Sequence, residues 1–353
     1  PKAMPMDVVV SVTNMCNSRC KTCFIWKLYR EHPELKEKEF KTEEFEKTFQ
    51  SIGKRVAWVT MSGGEPYLRP DLPKICELIF ENNTPGIMNI ATNALLPDTI
   101  KNQTKRILED CNDATIIVNI SLDGLNSKHD EIRGVKGNFI KFLDTYKRLK
   151  DLQQEFSNLQ IGIHSVVSSF SIDGLLDLYK FIGDLGPDSF ITEVAEERTE
   201  LFTMGKSTIT PEPDKYSLFV NELCQRIQRD YLKSGKSISR VTQAFRLAYY
   251  DIAVQVLKRH KQVIPCYAGY ALCHITPYGD VWPCATLAYD KPMGNLRETD
   301  YDFRKVWFSK KADEVRNYIK GRNCACPLAN AHYMNILCSF TSMMRVLKNL
   351  WTL

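Results

Sequence analysis

The chain opens on Val8-Val9-Val10-Ser11-Val12, an apolar and β-branched run that reads as a strand. Similar runs over residues 56–61, 87–92, 115–121, 159–167 and 189–194 predict five more strands. Helical patterns lie between them, beginning at Thr42-Glu43-Glu44-Phe45 with its polar N-cap signal and recurring over 72–82, 98–110, 138–152 and 174–185. Apolar strands alternating with helices imply a parallel sheet, and six such units are too few to close an eight-stranded barrel. Residues 26–41 carry charges of alternating sign and read as a solvated connection. Residues 211–231 and 238–260 predict two long helices with no strand between them. After Pro265 the pattern changes to short strands and turns, with a Pro-Tyr-Gly-Asp hairpin turn at 277–280 and an apolar tail. The fold class is therefore α/β, with expected units at 1–235, a linking helix at 236–261, and a small Cys-rich α+β domain at 262–353.

Composition narrows this only a little. With 353 residues, 44% hydrophobic and 25% charged, the chain has the profile of an ordinary globular protein with room for one large domain and a smaller one. A net charge of +5 without a basic stripe argues against nucleic acid. No apolar run is long enough for a bilayer and no signal-peptide core is present, so the expected location is cytoplasmic. The tail from Ile336 carries Arg345 and Lys348 beside its apolar positions. That composition fits a basic helix lying on a membrane, but packing of its apolar face against the protein is the preferred expectation.

The cysteines change the picture more. There are 12, crowded at the two ends of the chain. Cys76, Cys111 and Cys224 sit in helical patterns, where small buried apolar positions are expected. Two clusters in a chain with no secretory signal point to a metalloprotein. Cys16, Cys20 and Cys23 lie on the loop leaving the first strand. Three thiolates there suit a [4Fe–4S] cluster with one iron lacking a protein ligand; a zinc knuckle is the competing reading of the loop alone.

The C-x3-C-x2-C spacing resembles the radical S-adenosylmethionine (SAM) family. The resemblance implies an open, partial (β/α)6 TIM barrel, and an open iron that chelates SAM and cleaves it to a 5′-deoxyadenosyl radical. Ser62-Gly63-Gly64-Glu65-Pro66 resembles the family's motif for the SAM amino group, which assigns that role to Gly63, Gly64 and Glu65. Asn93 ends the third strand, Ser121 and Asp123 resemble the SxDG element, and Arg133 opens an RGxxGxF-like stretch whose guanidinium suits the SAM carboxylate. A strand-end turn or a surface salt bridge is the plainer reading of each. The family's aromatic residue before the third cysteine is Thr22 here, leaving Phe24 as the candidate adenine contact.

The second cysteine group resembles the SPASM or shorter twitch extension, which implies one or two auxiliary [4Fe–4S] clusters. The chain offers C-x1-C-x11-C in place of the full SPASM run. One auxiliary cluster on Cys266, Cys284, Cys324 and Cys326 is therefore expected, with Cys273 and Cys338 as candidate replacements. His274 is expected to be packed, and zinc is the alternative metal for four thiolates.

These resemblances imply hydrogen abstraction from a substrate, fed by a reductant such as flavodoxin or ferredoxin. Ala285 and Thr286 follow Cys284 where sulfatase-maturating relatives carry Asp, which disfavours that activity. The chain begins close to its first strand, which favours a small molecule such as a sugar, aminocyclitol or lipid. A ribosomal-peptide maturase is the alternative, and a non-catalytic electron carrier or scaffold is the alternative from another class. Glu193 and Arg198, at the exit of the sixth strand, are the candidate catalytic residues, although a solvated charged loop is the slightly preferred reading of the segment.

Overall fold

The computed structural model describes residues 3–232 and 237–351. The expected unit boundary at 235–236 and the final two residues of the tail lie outside them.

Six strands run in parallel: β1 (Asp7–Thr13), β2 (Trp58–Gly63), β3 (Ile87–Thr92), β4 (Thr115–Ser121), β5 (Leu159–Val167) and β6 (Ser189–Val194). Three more, β7 (Leu272–Ile275), β8 (Asp280–Trp282) and β9 (Gly294–Asn295), complete the sheet in the order β6-β5-β4-β3-β2-β1-β7-β8-β9. The last four predicted strands of the barrel match their observed bounds. The second starts later than expected, because Ala57 and Trp58 donate to the Met6 carbonyl and the ladder begins only at Trp58. β7 lies parallel to β1, with Cys273 opposite Val8, so the Cys-rich region extends the first sheet; β8 and β9 then return antiparallel.

Strand periodicity decides what faces where. Val8, Val10, Met61, Ile90, Val118 and Ile163 are fully buried, the alternation that sends them outward beneath the helices. The intervening positions Val9, Thr60, Asn89, Asn119, His164 and Glu193 line a central cavity. The apolar face makes the barrel, and the polar face makes its lumen.

Asp7 is the lumen residue with the clearest energetic cost. It is buried, its Oδ1 has no partner among the described residues, and burial pushes its carboxyl up to about 7. A carboxyl raised in the folded state keeps a proton that the unfolded chain releases. Its penalty therefore grows from about pH 4 to about pH 7 and then levels off. Asp7→Asn should raise stability at pH 8 by on the order of 2 kcal/mol, with the gain vanishing near pH 4. Thermal melts of both proteins across that range provide the check.

The 26–41 connection is more ordered than its charges suggest. It forms the turn Ile25–Lys27, the short helix Leu28–Glu31 and the turn Pro33–Lys38. Glu39 accepts from Thr13 Oγ1 (2.7 Å), Asn14 N (2.9 Å) and the Tyr29 hydroxyl, and so ties the connection to the end of β1. A short helix, Ser127–Arg133, is also present where sequence periodicity gave too few turns to register.

Beyond β6 come helices Pro213–Ile227 and Ser237–Arg259, the former ending in a π-type turn at Gln228–Leu232. The tail forms helices Ala329–Leu337 and Phe340–Trp351. The last of these packs on Ser237–Arg259, burying Val346, donating from Asn349 to the Ala244 carbonyl and pairing Arg345 with Asp251. It packs as expected, yet Phe340 and Trp351 remain more than 80% exposed. Among the described residues, no helix is long and apolar enough to cross a membrane.

Candidate iron–sulfur and substrate site

Cys16, Cys20 and Cys23 occupy the loop after β1, and two backbone segments grip that loop. On one side Gly64 N donates to Thr13 O (2.7 Å) and Glu65 N to Met15 O (2.8 Å). A Cβ on Gly63 would stand 2.1 Å from Thr13 O, and one on Gly64 2.2 Å from Met15 O. These are backbone clashes, so the glycines are required for the cysteine loop to dock at all. On the other side Arg19 N donates to Arg133 O and Lys21 N to Ile132 O, each at 2.9 Å. Gly134 adopts φ +68°, and a Cβ there would meet Arg19 O at 2.3 Å. Both glycine-bearing motifs thus close on the same eight residues.

The sulfur atoms point into polar surroundings. Asn93 Nδ2 lies 3.9 Å from Cys16 Sγ, and Arg133 Nη1 lies 3.7 Å from Cys20 Sγ. Burial pushes the Cys16 thiol up to about 12 and raises Cys23 further, with each thiol disfavouring ionisation of its neighbours. Loading iron would displace the protons of Cys16 and Cys23.

The remaining expected SAM residues cluster around this loop. Glu65 is almost wholly buried and accepts from Thr92 Oγ1 (2.8 Å), Asn93 N (2.7 Å) and Tyr67 N (3.3 Å). Desolvation nevertheless pushes its carboxyl up to about 7. Arg133 forms an ion pair with buried Asp123 (Nε to Oδ2, 2.7 Å), while Asp123 Oδ1 accepts from Val166 N (2.7 Å). The guanidinium therefore spans from the end of β4 to Cys20. Ser121 lies opposite His164 in the β4–β5 ladder. Phe24 is half-buried, and its N–H donates to Leu201 O (2.9 Å), which ties it to the loop beyond β6.

At the other end, Cys266, Cys284, Cys324 and Cys326 come together. Cys284 is electrostatically coupled to Cys266 and Cys324, and Cys326 to Cys284. Burial pushes Cys284 up to about 12 and Cys324 to about 11. Two of the six candidate ligands do not join this set. Cys273 faces Asp7 and Arg316 from β7, and exposed Cys338 follows helix Ala329–Leu337 with burial as the sole influence on its thiol. The β7 pairing to β1 turns Cys273 into the sheet core, apart from the other four.

The donor sets suit clusters better than single ions. Thiolates on one zinc ion each lie about 2.3 Å from it. Among the described residues, no three Cys, His, Asp or Glu side chains converge tightly enough to hold one metal ion. Three thiols on the first loop and four grouped around Cys284 at the second would supply the thiolate ligands of iron–sulfur clusters.

A cavity of about 1800 Å³ occupies the lumen and reaches Cys284 and Ala285. Glu193 sits in its wall, with Oε2 3.8 Å from His164 Nε2 and Oε1 3.9 Å from Arg198 Nη1. Arg198 Nη1 also lies 3.7 Å from Glu200. Glu196 joins the group, its carboxyl pushed up to about 8 by burial. These side chains are half-buried around one another, so the charged segment is a cavity wall and not a solvated loop. His164 escaped the sequence reading, although the alternation of β5 carried its signal. His274 is packed as expected, bonded to Ser11 Oγ at 2.7 Å and edge-on to Trp282.

Known proteins fit this arrangement. The family model described as Radical SAM superfamily matches residues 10–168, and one described as an iron–sulfur cluster-binding domain matches residues 266–327. The chain is 24% identical over 301 residues to the antilisterial bacteriocin subtilosin biosynthesis protein AlbA of Bacillus subtilis (strain 168), covering 85% of this chain and 59% of that protein. It is 24% identical over 187 residues to the sporulation killing factor maturation protein SkfB of the same organism, covering 52% of this chain and 41% of that one. The chain thus spans about half the length of these curated relatives. Among solved structures, native anSMEcpe with bound AdoMet and the Cp18Cys peptide superimposes with a TM-score of 0.62 at 18% identity, covering 99% of this chain and 97% of that one. At that identity the likeness concerns the fold.

Proposed function

Because the chain belongs to the radical SAM superfamily and carries an iron–sulfur cluster-binding domain beyond its barrel, we propose that it is an enzyme that modifies a ribosomally made peptide by hydrogen abstraction. The observation that carries the peptide reading is the cavity. At about 1800 Å³ it exceeds the roughly 300–1,000 Å³ typical of small-ligand pockets. The names of the relatives, a subtilosin biosynthesis protein and a killing-factor maturation protein, support the same reading over the small-molecule one.

A reduced [4Fe–4S] cluster with SAM supplies one-electron cleavage chemistry at the first cysteine loop. The chain's own residues bind and orient. Cys16, Cys20 and Cys23 would hold the cluster, and Gly63, Gly64 and Glu65 would receive the ammonium of SAM. Asn93, Ser121, Asp123 and Arg133 would bind its carboxylate and ribose, and Phe24 its adenine. Cys266, Cys284, Cys324 and Cys326 would hold one auxiliary cluster. A flavodoxin or ferredoxin in the cytoplasm is the proposed electron source.

Glu193, braced by His164 and Arg198, acts on the substrate side. Glu193→Gln should lower peptide modification by about tenfold to a hundredfold while leaving substrate-free SAM cleavage unchanged. Equal turnover by the two proteins removes Glu193 from the mechanism. For the function itself, anaerobically loaded protein should be co-produced with short peptides encoded beside its gene and the peptides weighed. Loss of a hydrogen pair from one of them is the expected result. Stimulation of 5′-deoxyadenosine release by a small metabolite, with every peptide unchanged, would overturn the peptide reading.

A further inference from the structure

Among the described residues three arginines are almost closed off from solvent: Arg133, Arg246 and Arg316. A guanidinium so deeply buried needs a counter-charge or a full set of acceptors. Arg316 has both, pairing with Asp313 (3.0 Å), donating to Gly269 O (2.6 Å) and Trp307 O (2.7 Å), and stacking over the Trp307 ring. Arg133 has Asp123. Arg246 is different. It is 2% exposed, and Nη1 donates to the Phe190 carbonyl. No carboxylate among the described residues forms a salt bridge with it.

Its position gives that missing charge a direction. Arg246 lies on helix Ser237–Arg259 beside β6, the edge strand of the sheet, and lines the central cavity. Gln243, one turn earlier on the same helix face, is 3% exposed, lines the same cavity, and leaves its Oε1 without a partner. Tyr333 lines the cavity beside Arg246, whose guanidinium bears on its hydroxyl oxygen and leaves the O–H free to donate, and burial keeps the phenol protonated. A guanidinium and a phenol O–H therefore face one region of the wall, with the Gln243 carboxamide beside them. A planar guanidinium flanked by a neutral donor is suited to a carboxylate, which it can bind in bidentate fashion.

We infer that Arg246 and Tyr333 form a subsite for a carboxylate of the substrate. That the subsite takes an anion stands on the wall itself; that the anion belongs to a peptide, as its C-terminus or an acidic side chain, rests on the proposed function.

Calorimetric titration of the cluster-loaded full chain tests this with three probes: acetyl-trialanine as the free acid, its C-terminal amide, and inorganic phosphate. The acid should bind at least about tenfold more tightly than the amide. Arg246→Gln should abolish that preference, and Arg246→Lys should restore part of it. Equal binding of acid and amide to the wild type, or an unchanged preference in Arg246→Gln, overturns the subsite. Phosphate binding more tightly than the acid assigns the wall to a free anion and overturns the substrate carboxylate. If Arg246→Gln does not fold, the wild-type acid and amide pair together with Tyr333→Phe decides, the latter expected to weaken the acid selectively. Release of 5′-deoxyadenosine from the same samples reports on the radical chemistry separately.

Discussion

Cys20→Ala should reduce SAM cleavage at least about a hundredfold, to the level of a protein-free control, and should remove about half of the bound iron. The argument starts from the loop. Cys20 is buried, receives Arg133 Nη1 at 3.7 Å, and lies between Cys16 and Cys23 in the span gripped by Gly64 and Gly134. Removing its sulfur leaves two protein thiolates for the first cluster and leaves the Arg133 contact without its acceptor. Cys266, Cys284, Cys324 and Cys326 are untouched, which is why iron should fall by half and not to zero. Gly64→Ala should reproduce the loss with all three thiols present, because its Cβ would strike the Met15 carbonyl and displace the loop. Cys76→Ala is the control, since Cys76 lies buried in helix Leu72–Asn83 away from both sets. Iron analysis and 5′-deoxyadenosine release check all three; full activity in Cys20→Ala would mean that the cluster is held elsewhere.

Much of this was legible in the sequence because it depends on local pattern. The bounds of β3 to β6 follow from β-branched runs with little to perturb them, and the cysteine spacing announced the loop. What stayed hidden depends on contacts between segments distant in sequence. Gly63 and Gly64 read as a ligand cradle, whereas their immediate work is to admit the carbonyls of Thr13 and Met15. Arg133 read either as a guanidinium for SAM or as a surface salt bridge, and its ion pair turns out to be with buried Asp123 at the end of β4. Cys273 was indistinguishable from its neighbours until the parallel pairing of β7 with β1 turned it into the core. Charge patterning misled at 26–41 and at 195–200, where alternating signs mark carboxylates tied to other elements instead of a solvated surface. The missed lumen residues share one cause. A strand read for its apolar face alone gives the barrel, while its polar face, carrying Asn89, Asn119 and His164, gives the cavity.

Cys284→Ala should separate the two halves of the chemistry. Cys284 is the one cysteine of the second set that lines the central cavity, and it is coupled to both Cys266 and Cys324. Its loss should empty the auxiliary site while leaving the loop after β1 intact, since among the described residues that loop is gripped by the segments carrying Gly64 and Arg133. Substrate-free SAM cleavage should therefore stay within about twofold of the wild type, while modified product falls by at least about a hundredfold. The split is informative because a general folding defect would lower both together. One structural link could blur it: the hairpin carrying Cys284 also places Tyr278, whose hydroxyl donates to Tyr29 OH at 2.9 Å and receives Asn14 Nδ2 at 3.3 Å, beside the Glu39 anchor of β1. Tyr278→Phe removes that link without touching a thiol. If Cys284→Ala lowers SAM cleavage and Tyr278→Phe lowers it equally, the second domain acts through the hairpin on the first cluster. If Cys284→Ala alone reduces product with cleavage preserved, the auxiliary site serves the substrate directly, from the cavity wall that Cys284 lines.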